Sequence, residues 1–252
     1  MRLSDVTINM HHDDCGDLID ALTFALVVHT LSREEWPMKN RAVLRLIFFH
    51  LLYAVVFFGC TSFRVAGDVQ KGRMQLMHGD PKVALAYFQS AAQQQPDYLL
   101  NYSLLDQGIW TYVGRAYYAT GRLPEARQAL EKARSLYGDD QLAKIYLGLV
   151  LGRDGDAKRG LMELEAGLRG LDGWLEYIHH NVREGHFWDP GREIRSEIDR
   201  NVKLIASGKA DWEALTKSAE WIGHKTELEV DLVERDKYRD ETQDDNDGCE
   251  DC

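Results

Sequence analysis

The side chains best equipped for chemistry lie in the C-terminal third. His179, His180 and His186 fall near Glu184 and Asp189, and imidazoles and carboxylates are the groups that hold zinc and similar ions. The spacing opposes a shared site, because adjacent residues on a helix point in different directions and His179 and His180 do not easily face one ion. Surface or loop histidines are the preferred reading, with no metal and no cofactor expected. Cys249-Glu250-Asp251-Cys252 is a C-x-x-C. The redox form of that motif opens a helix after a strand, whereas here it ends an acidic run. Neighbouring acids raise a thiol's pKa and oppose thiolate reactivity. A Gly-rich phosphate loop, a G-x-S-x-G nucleophile motif and an H-E-x-x-H pair are all missing from the sequence. The chain reads as non-enzymatic, with no catalytic residue to name.

Composition points the same way. Of 252 residues, 44% are hydrophobic and 28% charged, which is globular rather than disordered. Only 5 are proline, which suits helices, since proline inside a helix removes a donor and clashes with the preceding turn. The formal charge of −11 argues against nucleic acid, whose phosphates demand clustered Lys and Arg.

Residues 46–60 read LIFFHLLYAVVFFGC. This apolar run is shorter than the roughly 20 residues of a spanning helix. It follows Met38-Lys39-Asn40-Arg41, and a basic start before a short apolar run is the pattern of an export signal. Met38 is therefore a candidate initiator, with 1–37 an upstream extension or a disordered segment. Gly59-Cys60 closes the run and resembles the bacterial lipoprotein signal, in which the cysteine is lipidated and becomes N-terminal. Phe57 and Phe58 depart from that pattern, and an uncleaved anchor or a plain buried helix is the alternative. The resemblance implies an exported protein of the bacterial cell envelope, periplasmic in exposure and held at a lipid membrane through Cys60 or the apolar segment. Thr61 after the cysteine favours the outer membrane.

Three segments then align: 65–98, 107–140 and 141–174. Gly72, Gly114 and Gly148 recur at one place, and Gly79, Gly121 and Gly155 seven residues later. Ala84, Ala126 and Gly160 follow, then Phe88, Leu130 and Leu164, then Ala91, Ala133 and Gly167. The second and third copies begin 34 residues apart, at 107 and 141; the first two begin 42 apart, at 65 and 107. The period and the Trp110…Val113-Gly114…Tyr117…Ala126…Leu130…Ala133 series resemble the tetratricopeptide repeat (TPR). The resemblance implies an all-α fold, a TPR-type helix-hairpin solenoid with C-terminal capping helices. Each hairpin leaves an apolar face that only a stacked neighbour can bury. Gly160 and Gly167, where the family has alanine, predict a weaker second helix in the third copy, because glycine costs roughly 0.5–1 kcal/mol in a helix. The insertion Leu99–Asp106 has no Pro or Gly and is predicted to lengthen the first helix of the middle repeat.

In the TPR family the first helix of each repeat lines a concave groove. Carried over by position, the groove residues are Val69 and Arg73, then Thr111, Arg115 and Tyr118, then Ile145, Leu149 and Arg153. Arg73 and Arg115 each follow their repeat's glycine and should lie side by side, able to hold a carboxylate, unless they are solvated or pair with this chain's own acids. Beyond the repeats, 175–238 reads as capping helices. Asp189-Pro190 is predicted as cap and first turn of a helix over 192–207. A last helix over 211–236 is expected to bury Trp212, Leu215, Ala219, Ile222, Leu228 and Leu232. Residues 239–252 read as an acidic disordered tail, with one variant in which that tail docks in the groove. The functional expectation is a scaffold or adaptor binding other proteins in the groove. A small-molecule-binding component of an envelope transport system, with its ligand near Trp110, Tyr118 and the 183–191 loop, is the alternative.

Overall fold

The structure is a computed structural model that describes residues 64–209 and 211–247. The proposed leader, Cys60 and the Cys249–Cys252 pair lie outside the described residues. Residues 64–77 are helical (α1) and α2 is Pro81–Gln94. A two-stranded hairpin follows, β1 Leu99–Tyr102 and β2 Leu105–Gly108. Next come α3 Ile109–Ala119, α4 Leu123–Leu136, α5 Gln141–Arg153 and α6 Ala157–Asn181. A short 3-10 turn over Arg183–Phe187 leads to α7 Glu193–Ala206 and α8 Trp212–Asp247. Among the described residues no helix is long and apolar enough to cross a membrane.

The pairs α1–α2, α3–α4 and α5–α6 are the three hairpins, and one local chemistry ends the first helix of each. Gly79, Gly121 and Gly155 take φ of +85°, +76° and +95°, the left-handed region that glycine enters without a side-chain clash. The next amide then reaches back five residues: Asp80 N to Gln75 O, Arg122 N to Tyr117 O and Asp156 N to Leu151 O, each at 2.9 Å. That bond satisfies a carbonyl left without a partner at the helix end. The second helices start on matching signals. Asp80 and Asp156 accept the amides of Val83 and Arg159, and Pro81 and Pro124 occupy first-turn positions where no amide is needed.

The other recurring glycines set the distance between the paired helices. A Cβ on Gly72 would lie 2.5 Å from Phe88, and one on Gly114 would lie 2.5 Å from Leu130. In the third hairpin the approach is backbone to backbone. A Cβ on Gly148 would meet Leu164 N at 2.7 Å and Gly160 O at 2.8 Å, and one on Gly167 would meet Ile145 N at 2.8 Å. The expectation of a weak α6 is therefore corrected. Gly160 and Gly167 are what admit α5 so closely, and α6 runs unbroken for 25 residues, its cost in propensity offset by tighter packing.

Three further expectations are overturned. The insertion is a β-hairpin, in register Leu99↔Gly108 through Tyr102↔Leu105. Its turn residues Ser103 and Leu104 have φ of +53° and +72°, the geometry of the tight turn that matches strand twist. Neither residue favours that region, so tertiary contacts hold it: the Trp188 indole donates to Ser103 O at 2.7 Å, and Ser103 Oγ lies 3.0 Å from Val230 O and 2.7 Å from Glu234 Oε1. Asp189 and Pro190 do not form the first turn of α7. Asp189 reaches forward instead, accepting the amides of Ile194 and Arg195 at 3.0 and 3.1 Å. Finally α8 runs on to Asp247, well past 239, where the disordered tail was expected to begin. Its buried stripe is Leu215, Ala219, Ile222, Thr226, Val230 and Val233, while Leu228 faces outward at 39% exposure.

Gly148→Ala should destabilise the chain by about 1–3 kcal/mol, the usual penalty of overpacking, because two stretches of backbone would have to separate. Gly138→Ala, with open space around it, should be close to neutral. Urea unfolding midpoints of the two variants check the contrast.

Candidate functional site

The helix α8 returns along the first helices of the hairpins. At its start Trp212 lies against Gly152 and Gly160, where any Cβ would crowd or overlap the indole. Further on, Gly223 lets the Tyr146 hydroxyl come against the α8 backbone. Tyr118 donates to Glu220 Oε1 at 2.6 Å. Beyond these contacts the helix reaches the two arginines.

Arg73 and Arg115 do lie side by side and do hold a carboxylate, but it belongs to α8. Arg73 Nε donates to Glu227 Oε2 at 2.9 Å. Arg115 Nη1 donates to the other oxygen, Oε1, which also accepts Gln107 Nε2 at 3.2 Å. A second acid one turn on, Asp231, accepts Arg73 Nη2 at 3.2 Å, and Arg115 Nη2 reaches Gly223 O at 3.4 Å. Arg73, Arg115 and Glu227 are all buried. The Arg115 guanidinium also lies 4.9 Å from the Tyr146 ring centre and 5.6 Å from that of Tyr112, within range of a cation–π attraction.

Burial pushes the Glu227 carboxyl upward, but Arg115 and then Arg73 overcome that and hold it below the ordinary carboxylate value. Burial likewise works against the charge on Arg115, and Glu227 restores it to above the usual arginine range. The cluster is therefore ionised, with both carboxylate oxygens occupied.

The other groove residues have different fates. Val69, Ile145 and Leu149 are fully buried, and Ile145 faces Gly167 of its own hairpin rather than the groove. Thr111 donates to Asp140 Oδ2 at 2.5 Å. That carboxylate also takes the Gly108 and Ala143 amides at 3.0 Å, so Thr111 joins two repeats. Arg153 is exposed and stands 5.0 Å over the Tyr118 ring.

Beside the cluster opens a cavity of about 310 Å³ whose walls include Tyr112, Tyr118, Tyr146, Glu220 and His224. Trp110 and the 183–191 loop do not share it. The Trp110 indole donates to Pro96 O at 2.7 Å, and Trp188 is packed edge-on against Trp174 at 4.8 Å. The histidines are dispersed: His180 pairs with Glu176 at 3.4 Å and His186 contacts Arg183 O at 2.5 Å. Among the described residues no group of three or more His, Cys, Asp or Glu is arranged to hold a metal.

Sequence reading found the two arginines but missed Glu227, Gln107 and Gly223. A signal did exist. Glu220, Glu227, Asp231 and Glu234 recur at intervals of seven, four and three, an acidic stripe along one side of a helix.

Because its folded pKa is depressed, Glu227 contributes stability that is present above the unfolded carboxylate value and is lost as pH falls through the folded one. Arg115→Ala should cost about 3–5 kcal/mol at pH 7, as expected when one partner of a buried pair is removed. The stability gap between the parent and Glu227→Gln should shrink as pH drops below the ordinary glutamate pKa of 4.5. Urea titrations at pH 7 and through the acid range test both.

A family model described as tetratricopeptide repeat matches residues 75–146, which take in the end of α1, the whole of α2, the β-hairpin, α3 and α4, and α5 up to Tyr146. No curated protein matches the chain. The matched segment, three hairpins closed by the same glycine turn and the close-approach glycines at one place in each agree, and residues 75–146 of this chain are tetratricopeptide-repeat sequence.

Proposed function

We propose that the chain is a non-enzymatic interaction scaffold of a bacterial cell envelope, whose first-helix groove receives a segment of another protein. Tetratricopeptide repeats are protein-interaction modules, which gives the coarse reading. One observation supports the finer one: the groove already holds a helix, with a carboxylate fixed at its centre by Arg73, Arg115 and Gln107. A groove able to orient one helix in this way has the donors to orient another. Anchorage at the periplasmic side of the membrane, with the outer membrane favoured, is part of the proposal. It rests on the basic start, the apolar run and Gly59-Cys60.

The cavity of about 310 Å³ beside the cluster favours a second reading, a ligand-binding component of an envelope transport system. Its walls combine tyrosines with two arginines and two glutamates, a polar and aromatic lining that suits a small polar molecule.

The charges should be removed together, since a lone reversal would leave buried like charges. The triple variant Arg73→Gln, Arg115→Gln, Glu227→Gln should keep its helical circular dichroism and lose partners that cross-link to the parent chain in cells. Retention of every partner by the folded variant would show that the groove is not the docking site. Mass spectrometry of the mature N-terminus tests anchorage. A diacylglyceryl Cys60 is the expected result, and an unmodified Met1 or Met38 terminus would refute it.

A further inference from the structure

We infer that the second half of α8 is a resident, displaceable occupant of the groove, and that the natural partner is an acidic amphipathic helix that copies its pattern. This rests on the groove-binding reading above and specifies the partner.

The two halves of α8 are held differently. From Trp212 to Ile222 the helix is anchored by apolar contact: Leu215, Ala219 and Ile222 are fully or almost fully buried, and Trp212 is wedged against Gly152 and Gly160. After Gly223 the balance changes. Among residues 224–240 the buried apolar side chains are Val230 and Val233, while Thr226, Glu227 and Glu229 are buried polar ones. The contacts there are mainly ionic or hydrogen-bonded: Glu227 and Asp231 to the arginines, and Ser103 to Val230 O and Glu234.

Buried ion pairs fix position more than they add net stability, because each charge gives up its hydration. The outer half is thus accurately placed but weakly glued. Gly223 lies where the anchored half gives way to the ionic one, and glycine within a helix lowers the cost of local opening. Local opening of such a segment needs far less free energy than global unfolding.

The groove also states what would replace the segment. Tyr118 takes a glutamate, Tyr146 demands a glycine one turn later, the two arginines with Gln107 take a glutamate one turn after that, and Arg73 takes an acid one turn further. A competing helix therefore carries Glu-x2-Gly-x3-Glu-x3-Asp, as this chain does at Glu220, Gly223, Glu227 and Asp231. A partner with more large apolar side chains at the positions of Thr226 and Val230 would win the exchange by the extra area it buries.

The test uses the full chain and a fluorescent, end-capped peptide of residues 220–240. Two hosts loosen the resident segment without altering the arginines: Glu227→Gln, and Ser103→Ala, which removes the hairpin turn's hydroxyl contacts with Val230 and Glu234 without stranding a charge. Either folded host should bind the peptide at least tenfold more tightly than the parent chain. Binding should deprotect the host's own residues 224–240 in hydrogen exchange, and a peptide with Gln at the position of Glu227 should lose at least tenfold in affinity. Equal binding to parent and hosts, insensitivity to the peptide's Gln substitution, or no binding to a folded host would each overturn the exchange. The groove reading fails separately, if the triple-glutamine chain keeps its cross-linked partners.

Discussion

The buried triad of Arg73, Glu227 and Arg115 is the constraint around which this protein is arranged. It joins the first hairpin, the second hairpin and the last helix at one point, although Glu227 stands more than a hundred positions along the chain from either arginine. Two guanidiniums without a carboxylate would be strongly destabilising at that depth, and so would a carboxylate without the guanidiniums. The requirement for mutual neutralisation therefore sets the rotation of α8. With Glu227 turned inward, Thr226, Val230 and Val233 follow it into the interior and Leu228 is carried outward, against what hydrophobicity alone would favour.

The inserted β-hairpin makes sense in the same terms. Its second strand delivers Gln107 as a further donor to Glu227, and its turn places Ser103 against α8 beside Glu234. Holding Ser103 and Leu104 at positive φ costs free energy. The offset comes from tertiary contacts, including the indole of Trp188, which is fully buried. The insertion thus acts as a clasp between the repeat stack and the C-terminal helices. An extended α3 would have carried these residues elsewhere.

The repeats themselves follow a different logic, local and periodic. Each hairpin turns on a glycine at positive φ and a five-residue backreach of an amide, and each pair of helices meets at a glycine. The third pair meets backbone to backbone, so its departures from the family's alanines are geometric requirements rather than decay. These devices build a stack of three hairpins. They say nothing about what lies against it, since that depends on residues far along the chain.

The sequence by itself determined the hairpins, their turn glycines, their bulky core positions and the adjacency of Arg73 and Arg115. All of these rest on contacts between residues less than one repeat or about one repeat apart, and such contacts leave a periodic trace. Tertiary structure alone decided which carboxylate the arginines hold, that Ile145 and Leu149 are fully buried, that the insertion is a clasp, and that α8 fills the groove. Each of those is a long-range pairing in which charge neutralisation or hydrogen bonding outweighed local preference. Leu99–Asp106 shows the limit most clearly. Its composition permits a helix, and only Trp188, Val230 and Glu234, brought to it by the fold, make the strained turn of Ser103 and Leu104 the stable choice.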